Sequence, residues 1–304
     1  MTSIARLDAG LLRTLPLPQP EEGSKEERGR ISIIGGSREV PGAILLAATG
    51  AMRAGAGKLQ IATVSSRAAA LSLAMPEALV IDLPETEAGG LQCRALAALS
   101  ARWAGTNALL VGPGMVEEDD SHEILACLLA GQEEATVVID AGALPRIIEL
   151  GSHLRRRSGR VIITPHAGEM ANLLGVEKAV IEADPAAAAT RLTKDLGLVV
   201  VMKGSDTVVT APEGIWRYEG GGVGLATSGS GDVLAGIIAG LAARGTEPWA
   251  AALWGVFLHG EAGAQLAREV GPLGFLAREI PDLVPRLMDG VGRGADLPAG
   301  SGDR

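Results

Sequence analysis

Four times in this chain a short run of aliphatic, largely β-branched residues ends in a turn of small residues. The turns are Gly35-Gly36-Ser37, Gly112-Pro113-Gly114, Asp140-Ala141-Gly142 and Pro165-His166-Ala167-Gly168. Short apolar runs bounded by such turns suit strands buried on both faces. The sequence predicts strands at Arg30–Ile34, Lys58–Thr63, Ala108–Val111, Thr136–Ile139, Arg160–Ile163 and Val199–Met202. Helices are expected at Gly42–Ala54, Leu91–Trp103, Ser121–Ala130, Ala167–Leu174, Pro185–Leu196, Ser230–Ala243, Pro248–Val270 and Ala277–Met288. Thr207–Thr210 and Gly214–Tyr218 read as a hairpin with Ala-Pro-Glu at its turn. Repeated strand–helix order gives βαβ units, so the expected class is α/β, a mostly parallel central sheet with helices on both faces. Open parallel sheets bind ligands beyond the carboxyl ends of their strands. Small-residue turns at four strand ends are therefore expected to converge on one cleft.

The bulk composition bounds what such a cleft serves. Hydrophobic residues make up 47% of the 304 positions, enough for a large core, yet aromatics are only 2%. The core must be aliphatic, and stacking-based binding of single-stranded nucleic acid is disfavoured. A net charge of −9 argues against DNA and anionic membranes as partners. Cys93 and Cys127 lie far apart with no metal-ligand spacing and read as two buried thiols of a reducing compartment. No basic start followed by an apolar run opens the chain, and Val233–Ala243 is too short to span a bilayer, so a cytoplasmic protein is expected. One domain over residues 30–290 is expected. Residues 1–29 read as a flexible lead-in, Pro-rich and then charged from residue 16, and 291–304 as a frayed tail.

The sharpest chemical segment is Thr227-Ser228-Gly229-Ser230-Gly231-Asp232, which runs directly into an apolar helix. A helix start presents unsatisfied N–H groups and a partial positive charge, and glycines let an anion approach closely. A carboxylate placed there would repel a phosphate unless it takes a proton from a hydroxyl under attack. Asp232 therefore reads as a general base, with capping by Ser230 or Asp232 as the plain alternative. There is no Gly-Lys-Ser/Thr and no Gly-x-Gly-x-x-Gly after the first strand, which excludes the two commonest phosphate loops. Lys203-Gly204-Ser205-Asp206-Thr207, after a strand, could hold nucleotide phosphates or be a simple turn between strands. In Thr164-Pro165-His166-Ala167-Gly168-Glu169, His166 is expected to face the cleft, and Glu169 to favour the following helix start. Gly35-Gly36-Ser37 with Pro41-Gly42-Ala43, and the turn at Gly114, leave room for a flat ring or a ribose. Asp140 could support a metal or a water network, or cap the next helix. His122, His153 and His259 have no partners at ligand spacing and carry no expected site role.

Taken in order, IGGSREVPGAILLAATGAMRAGAGKLQIAT, LLVGPGM, VVIDAGAL, VIITPHAGEMANLLG, VVMKGSDTVV and GLATSGSGDVLAGIIAG resemble the ADP/ATP-dependent NAD(P)H-hydrate dehydratases, which are ribokinase-like. The resemblance runs from about Ile31 to Ala243, with helices to about Leu287. It implies phosphorylation of the hydroxyl of hydrated NADH or NADPH, the (6S)-type hydrate, by ADP or ATP, followed by loss of phosphate. It implies Asp232 as the base, with Gly231 on the phosphoryl path. Ala43, Gly114 and His166 would contact the hydrated cofactor together with Asp232, and Lys203 to Thr207 the nucleotide. Mg²⁺ and a homotetramer are implied as well. The sequence departs from the family in reading TSGSGD where TGGTGD is usual. It also has Gly220-Gly221-Gly222-Val223-Gly224 in place of a common Asn, which bears on loop geometry and donor preference. Relatives often carry an epimerase domain. The short stretch before Ile31 leaves dehydratase activity alone as the expectation. The competing readings are a kinase of the same fold acting on a thiazole or pyrimidine alcohol, which would release a stable ester, and a non-catalytic nucleotide sensor, for which a carboxylate at position 232 has no use.

Overall fold

A computed structural model describes residues 3–19, 25–94, 103, 105–116, 119–131 and 134–294. The Val/Ile-rich runs pair as one ten-stranded sheet, because every backbone N–H and C=O they bury needs a ladder partner. In chain order the strands are β1 (Ala5–Arg6), β2 (Arg30–Ile34), β3 (Lys58–Val64), β4 (Ala78–Leu83), β5 (Ala108–Val111), β6 (Thr136–Ile139), β7 (Val161–Ile163), β8 (Val199–Met202), β9 (Thr207–Ala211) and β10 (Gly214–Tyr218). The helices are α1 (Ala9–Arg13), α2 (Pro41–Arg53), α3 (Ser65–Ala74), α4 (Asp119–Ala130), α5 (Gly151–Arg156), α6 (Ala167–Leu174), α7 (Lys178–Ala183), α8 (Pro185–Leu196), α9 (Ser230–Ala243), α10 (Pro248–Glu269) and α11 (Ile280–Gly292). The sheet order is β1-β10-β9-β8-β7-β6-β5-β2-β3-β4. From β4 to β8 all neighbours are parallel, while β9 is antiparallel to both β8 and β10.

Successive strand residues point to opposite faces, and the core divides accordingly. Ile31, Ile33, Leu110, Val138 and Ile162 pack with α2, α9, α10 and α11 on one face. Ile34, Leu109, Val111, Val137, Ile139 and Ile163 pack with α4, α5, α6 and α8 on the other. The α9 helix is apolar all round and buried from Val233 to Ala243, as a helix enclosed by protein must be. A β-carbon at Gly236 would lie 2.1 Å from the Ala47 carbonyl oxygen and one at Gly240 2.4 Å from that of Ala51, so α2 and α9 cross almost backbone to backbone. That contact fixes where the start of α9 sits. Among the described residues no helix is long and apolar enough to cross a membrane.

Several expectations need correction. Residues 5–15 are not a loose lead-in: β1 pairs with β10, and Leu7 and Leu12 are buried in the core. The apolar stretch there was too short for its periodicity to register against the Pro-rich, charged sequence that follows. The α11 helix runs to Gly292, with Val291 buried, so the tail does not begin at 291. The helix expected at Leu91–Trp103 falls mostly outside the described residues. Cys127 is exposed because α4 turns Ile124, Leu125, Leu128 and Leu129 inward and leaves position 127 outward, and Cys93 is only half-buried.

Candidate active site

Parallel pairing from β2 to β8 puts the turns after β2, β5, β6, β7 and β8 along one edge of the sheet. Their small residues let these turns interlock. A β-carbon at Gly112 would sit 1.7 Å from the Asp140 carbonyl oxygen, and Gly112 has φ +121°, so only glycine fits. Gly36 N–H donates to the Pro113 carbonyl at 2.7 Å. A β-carbon at Gly114 would lie 3.0 Å from that of Ala43 and 3.3 Å from the Gly36 α-carbon. Ala43, Gly36 and Gly114 therefore form one closely packed wall.

The second wall is charged. At the end of β6, Asp140 is 2% exposed and does not cap the short 3-10 turn that follows. Its Oδ1 instead accepts from Thr164 Oγ1 at 2.6 Å and from Lys203 Nζ at 2.9 Å. The capping reading of Asp140 is thus set aside. Glu169 Oε2 lies 3.9 Å from the same ammonium. Pro165 and Lys203 bring the ends of β7 and β8 together, Lys203 N–H donating to the Pro165 carbonyl at 2.9 Å. His166 caps α6: its Nδ1 accepts from the amides of Gly168 (3.0 Å) and Glu169 (3.2 Å), while Glu169 Oε2 accepts from His166 N–H at 2.8 Å. Because Nδ1 accepts, the neutral ring carries its proton on Nε2, on a side chain 58% exposed. Gly204, Ser205 and Asp206 form the exposed tip between β8 and β9, and Thr207 opens β9. Lys203 is the member of that segment that turns into the charged wall.

The start of α9 meets this wall. A β-carbon at Gly231 would lie 3.4 Å from Lys203 Nζ. Gly229 ends the loop at φ +86°, and no side chain caps α9. Ser230 N–H reaches back to the Thr227 carbonyl at 3.2 Å. The amides of Gly231 and Asp232 come too early in the helix for an i−4 carbonyl. Burial is the main influence on Asp232. The Asp140 carboxylate adds to it and Lys203 opposes it, and together they push its pKa up to about 6. Burial also works against the Lys203 charge, but Asp140, Glu169 and Asp232 outweigh it and hold the ammonium above the ordinary lysine range. The arrangement is a fixed cation, a carboxylate that loses its proton near neutrality, and two free amides at the positive end of a helix.

His259, which the sequence gives no site role, belongs to the site's second layer. It lies on α10, buried, with Nε2 2.9 Å from Ser230 Oγ and 3.1 Å from the Ser230 carbonyl oxygen. The available signal was a histidine inside the wholly buried run Val256-Phe257-Leu258, since a buried polar group needs a partner. His122 and His153 lie outside the site, near Glu149 and Ser152 respectively.

A family model described as NAD(P)H-hydrate dehydratase matches residues 31–286. The chain is 49% identical over 294 residues to the ADP-dependent (S)-NAD(P)H-hydrate dehydratase of Xanthomonas campestris pv. campestris, covering 96% of this chain and 98% of that one. Among solved structures, a ribokinase-like superfamily protein of Enterococcus faecalis superposes with a TM-score of 0.81 at 26% identity, over 95% of this chain and 97% of that one. The ADP/ATP-dependent NAD(P)H-hydrate dehydratase of Bacillus subtilis, co-crystallised with ATP and Mg²⁺, superposes with a TM-score of 0.77 at 29% identity, over 96% of this chain and all of the other. With the α/β sheet and the charged cluster at its strand ends already in place, these matches make the chain a member of the NAD(P)H-hydrate dehydratase family on a ribokinase-like fold.

Proposed function

We propose that this chain restores NADH and NADPH from their (6S)-type hydrates by an ADP- or ATP-dependent dehydration. One observation carries the reading: a half-buried carboxylate, Asp232, ionising at about 6 on a helix start that no side chain caps. A base of that pKa is ionised at neutral pH and still accepts a proton readily. Asp232 takes the proton of the ring hydroxyl as that oxygen attacks the terminal phosphorus of the nucleotide. The bond from phosphorus to the rest of the nucleotide breaks, releasing AMP from ADP or ADP from ATP. Phosphate then departs with the electron pair of the ring C–O bond, and a neighbouring ring carbon loses a proton, which restores the double bond. The free amides of Gly231 and Asp232 hold the phosphoryl oxygens in transit.

Lys203, with Gly204, Ser205, Asp206 and Thr207, binds the nucleotide phosphates. Asp140 holds the ammonium as a fixed point charge. Ala43, Gly114 and the exposed ring of His166, whose Nε2 lies 3.6 Å from Glu169 Oε2, contact the hydrated cofactor, with Asp232 at its hydroxyl. The described residues offer no group of three metal-ligating side chains, and Asp140 and Glu169 already face Lys203. Mg²⁺ fits this site as an ion held mainly by phosphates and water, with at most a carboxylate from Glu169 or Asp140. When bound it would screen the phosphate charge from the carboxylates. The reading extends to a homotetramer, on the strength of the family resemblance, and to the cytoplasm, as the sequence suggests.

The test is recovery of the reduced-nicotinamide absorbance when purified protein meets hydrated NADH, Mg²⁺ and ADP or ATP. Recovery with one inorganic phosphate released per turnover is expected. A stable phosphate ester of another alcohol would instead mark a kinase, and binding without turnover a sensor.

A further inference from the structure

The start of α9 lacks a side-chain cap, but it is not without support. His259 approaches it from behind, through the α9–α10 contact. Its Nε2 lies 2.9 Å from Ser230 Oγ and 3.1 Å from the Ser230 carbonyl oxygen. A carbonyl oxygen can only accept, so both contacts are attractive only when Nε2 carries the proton and shares it between the two oxygens. The surroundings favour one neutral ring. Burial, the largest influence, depresses the imidazole pKa to about 4. The hydrogen bond to the Ser230 carbonyl pushes back, and the Lys203 charge depresses it further.

The Ser230 carbonyl and the Gly231 N–H belong to the same peptide unit. Fixing the carbonyl fixes the direction of the amide. A donor on the carbonyl also polarises the unit, which makes the N–H a stronger donor. Gly231 has no side chain to set its orientation, and the nearest group to where its β-carbon would be is Lys203 Nζ. Asp232 follows directly on the same turn.

We infer that His259 is a positioning residue: through Nε2–H it clamps the Ser230–Gly231 peptide so that the Gly231 amide faces the phosphoryl group in transit. The inference rests on the dehydratase reading for what is transferred, not for the clamp itself. A clamp acting on an amide used in the transition state lowers kcat when lost, with little change in ground-state binding.

The experiment compares His259→Asn, whose shorter amide stops short of the Ser230 carbonyl, with His259→Gln, whose terminal amide nitrogen approximates Nε2. The Asn variant is expected to lose about 100-fold in kcat, with KM for hydrated NADH and the Kd for ADP, by calorimetry, within about 3-fold of wild type. The Gln variant is expected to recover to within about 10-fold of wild type. Wild-type kcat in His259→Asn overturns the inference. So does a loss in which the affinity for ADP and the unfolding midpoint fall with kcat, or a Gln variant no better than Asn. Should a variant not fold, nitrogen NMR of the wild-type imidazole decides. The Nε2–H tautomer at neutral pH is expected, and the Nδ1–H tautomer overturns the clamp. A wild type that turns over no hydrated NADH would count against the dehydratase reading and leave the clamp to the tautomer measurement.

Discussion

Two helices begin beside the same Lys203 ammonium and treat their free amides in opposite ways. At α6, His166 and Glu169 form a reciprocal cap, and the amides of Gly168 and Glu169 end on imidazole Nδ1. At α9, Gly229 supplies no cap, Gly231 supplies no side chain, and burial raises the Asp232 carboxylate to about 6, still ionised at neutral pH. The first arrangement is a finished structure, its exposed imidazole closed against Glu169. The second is left unfinished toward the cleft and braced from behind by His259. A helix start that stabilises only the fold satisfies its own donors, whereas one that binds an anion keeps them free. On the proposed reading, α9 is where phosphoryl charge is held and α6 is scaffold that carries His166.

Substitutions can break this contrast. The largest effect is expected at Asp232→Asn, a fall in kcat of about 10³-fold or more, measured as single-turnover recovery of NADH. Stability should move the other way. The folded-state pKa is raised from 3.8 to about 6, so between those values the folded state holds a proton that the unfolded state has released. The contribution of this group to stability falls as pH rises through that window and stays low above it. The Asn variant removes that penalty. At pH 7 it should be more stable by up to about 3 kcal/mol in denaturant unfolding.

Lys203→Met is next. It strands Asp140, 2% exposed, without its cation, and is expected to cost about 2–4 kcal/mol in denaturant unfolding. Nucleotide Kd should weaken along with it. Because Lys203 lowers the Asp232 pKa, its loss should move the acid limb of any residual activity upward. Gly231→Ala places a methyl group 3.4 Å from Lys203 Nζ. The helix tolerates the methyl, with a change in stability of no more than about 1 kcal/mol, while kcat is expected to fall about 10-fold.

The smallest effects belong to α6. His166→Ala should lose about 1 kcal/mol of cap and raise KM for hydrated NADH by about 10-fold, the equivalent of one hydrogen bond. His166→Asn should restore the stability in thermal unfolding but not the KM. If it restores both, the ring N–H is not a substrate contact, and α6 serves only as scaffold.

The parts of the fold that read clearly from sequence are those whose signal is local. β2, β5, β6 and β8 stand at their expected bounds because aliphatic runs end there in glycine, aspartate or lysine. The parts that did not read are those where tertiary context supplies the order. β4 is an edge strand with Leu79 half-exposed, so its alternation is weak. The Ser/Ala-rich α3 has little apolar periodicity, and β1 is only two residues long and depends on β10. The site divides in the same way. Asp232 and Lys203 follow their strands or loops directly and declare themselves in short motifs. Asp140 was legible as a candidate, but its role as the anchor of Lys203, 63 residues away, needed the sheet order. His259 lies 29 residues from Ser230, and no spacing rule joins a helix interior to the start of the helix before it.

The central claim is that an ionised Asp232 accepts the hydroxyl proton at a helix start left open for phosphate. Its most direct test is the pH dependence of kcat/KM for hydrated NADH with saturating nucleotide, from roughly pH 5 to pH 8. One inflection at about 6 is expected, with the rate falling about tenfold per unit below it. A profile flat across that range, in a protein that remains folded throughout, would contradict the account.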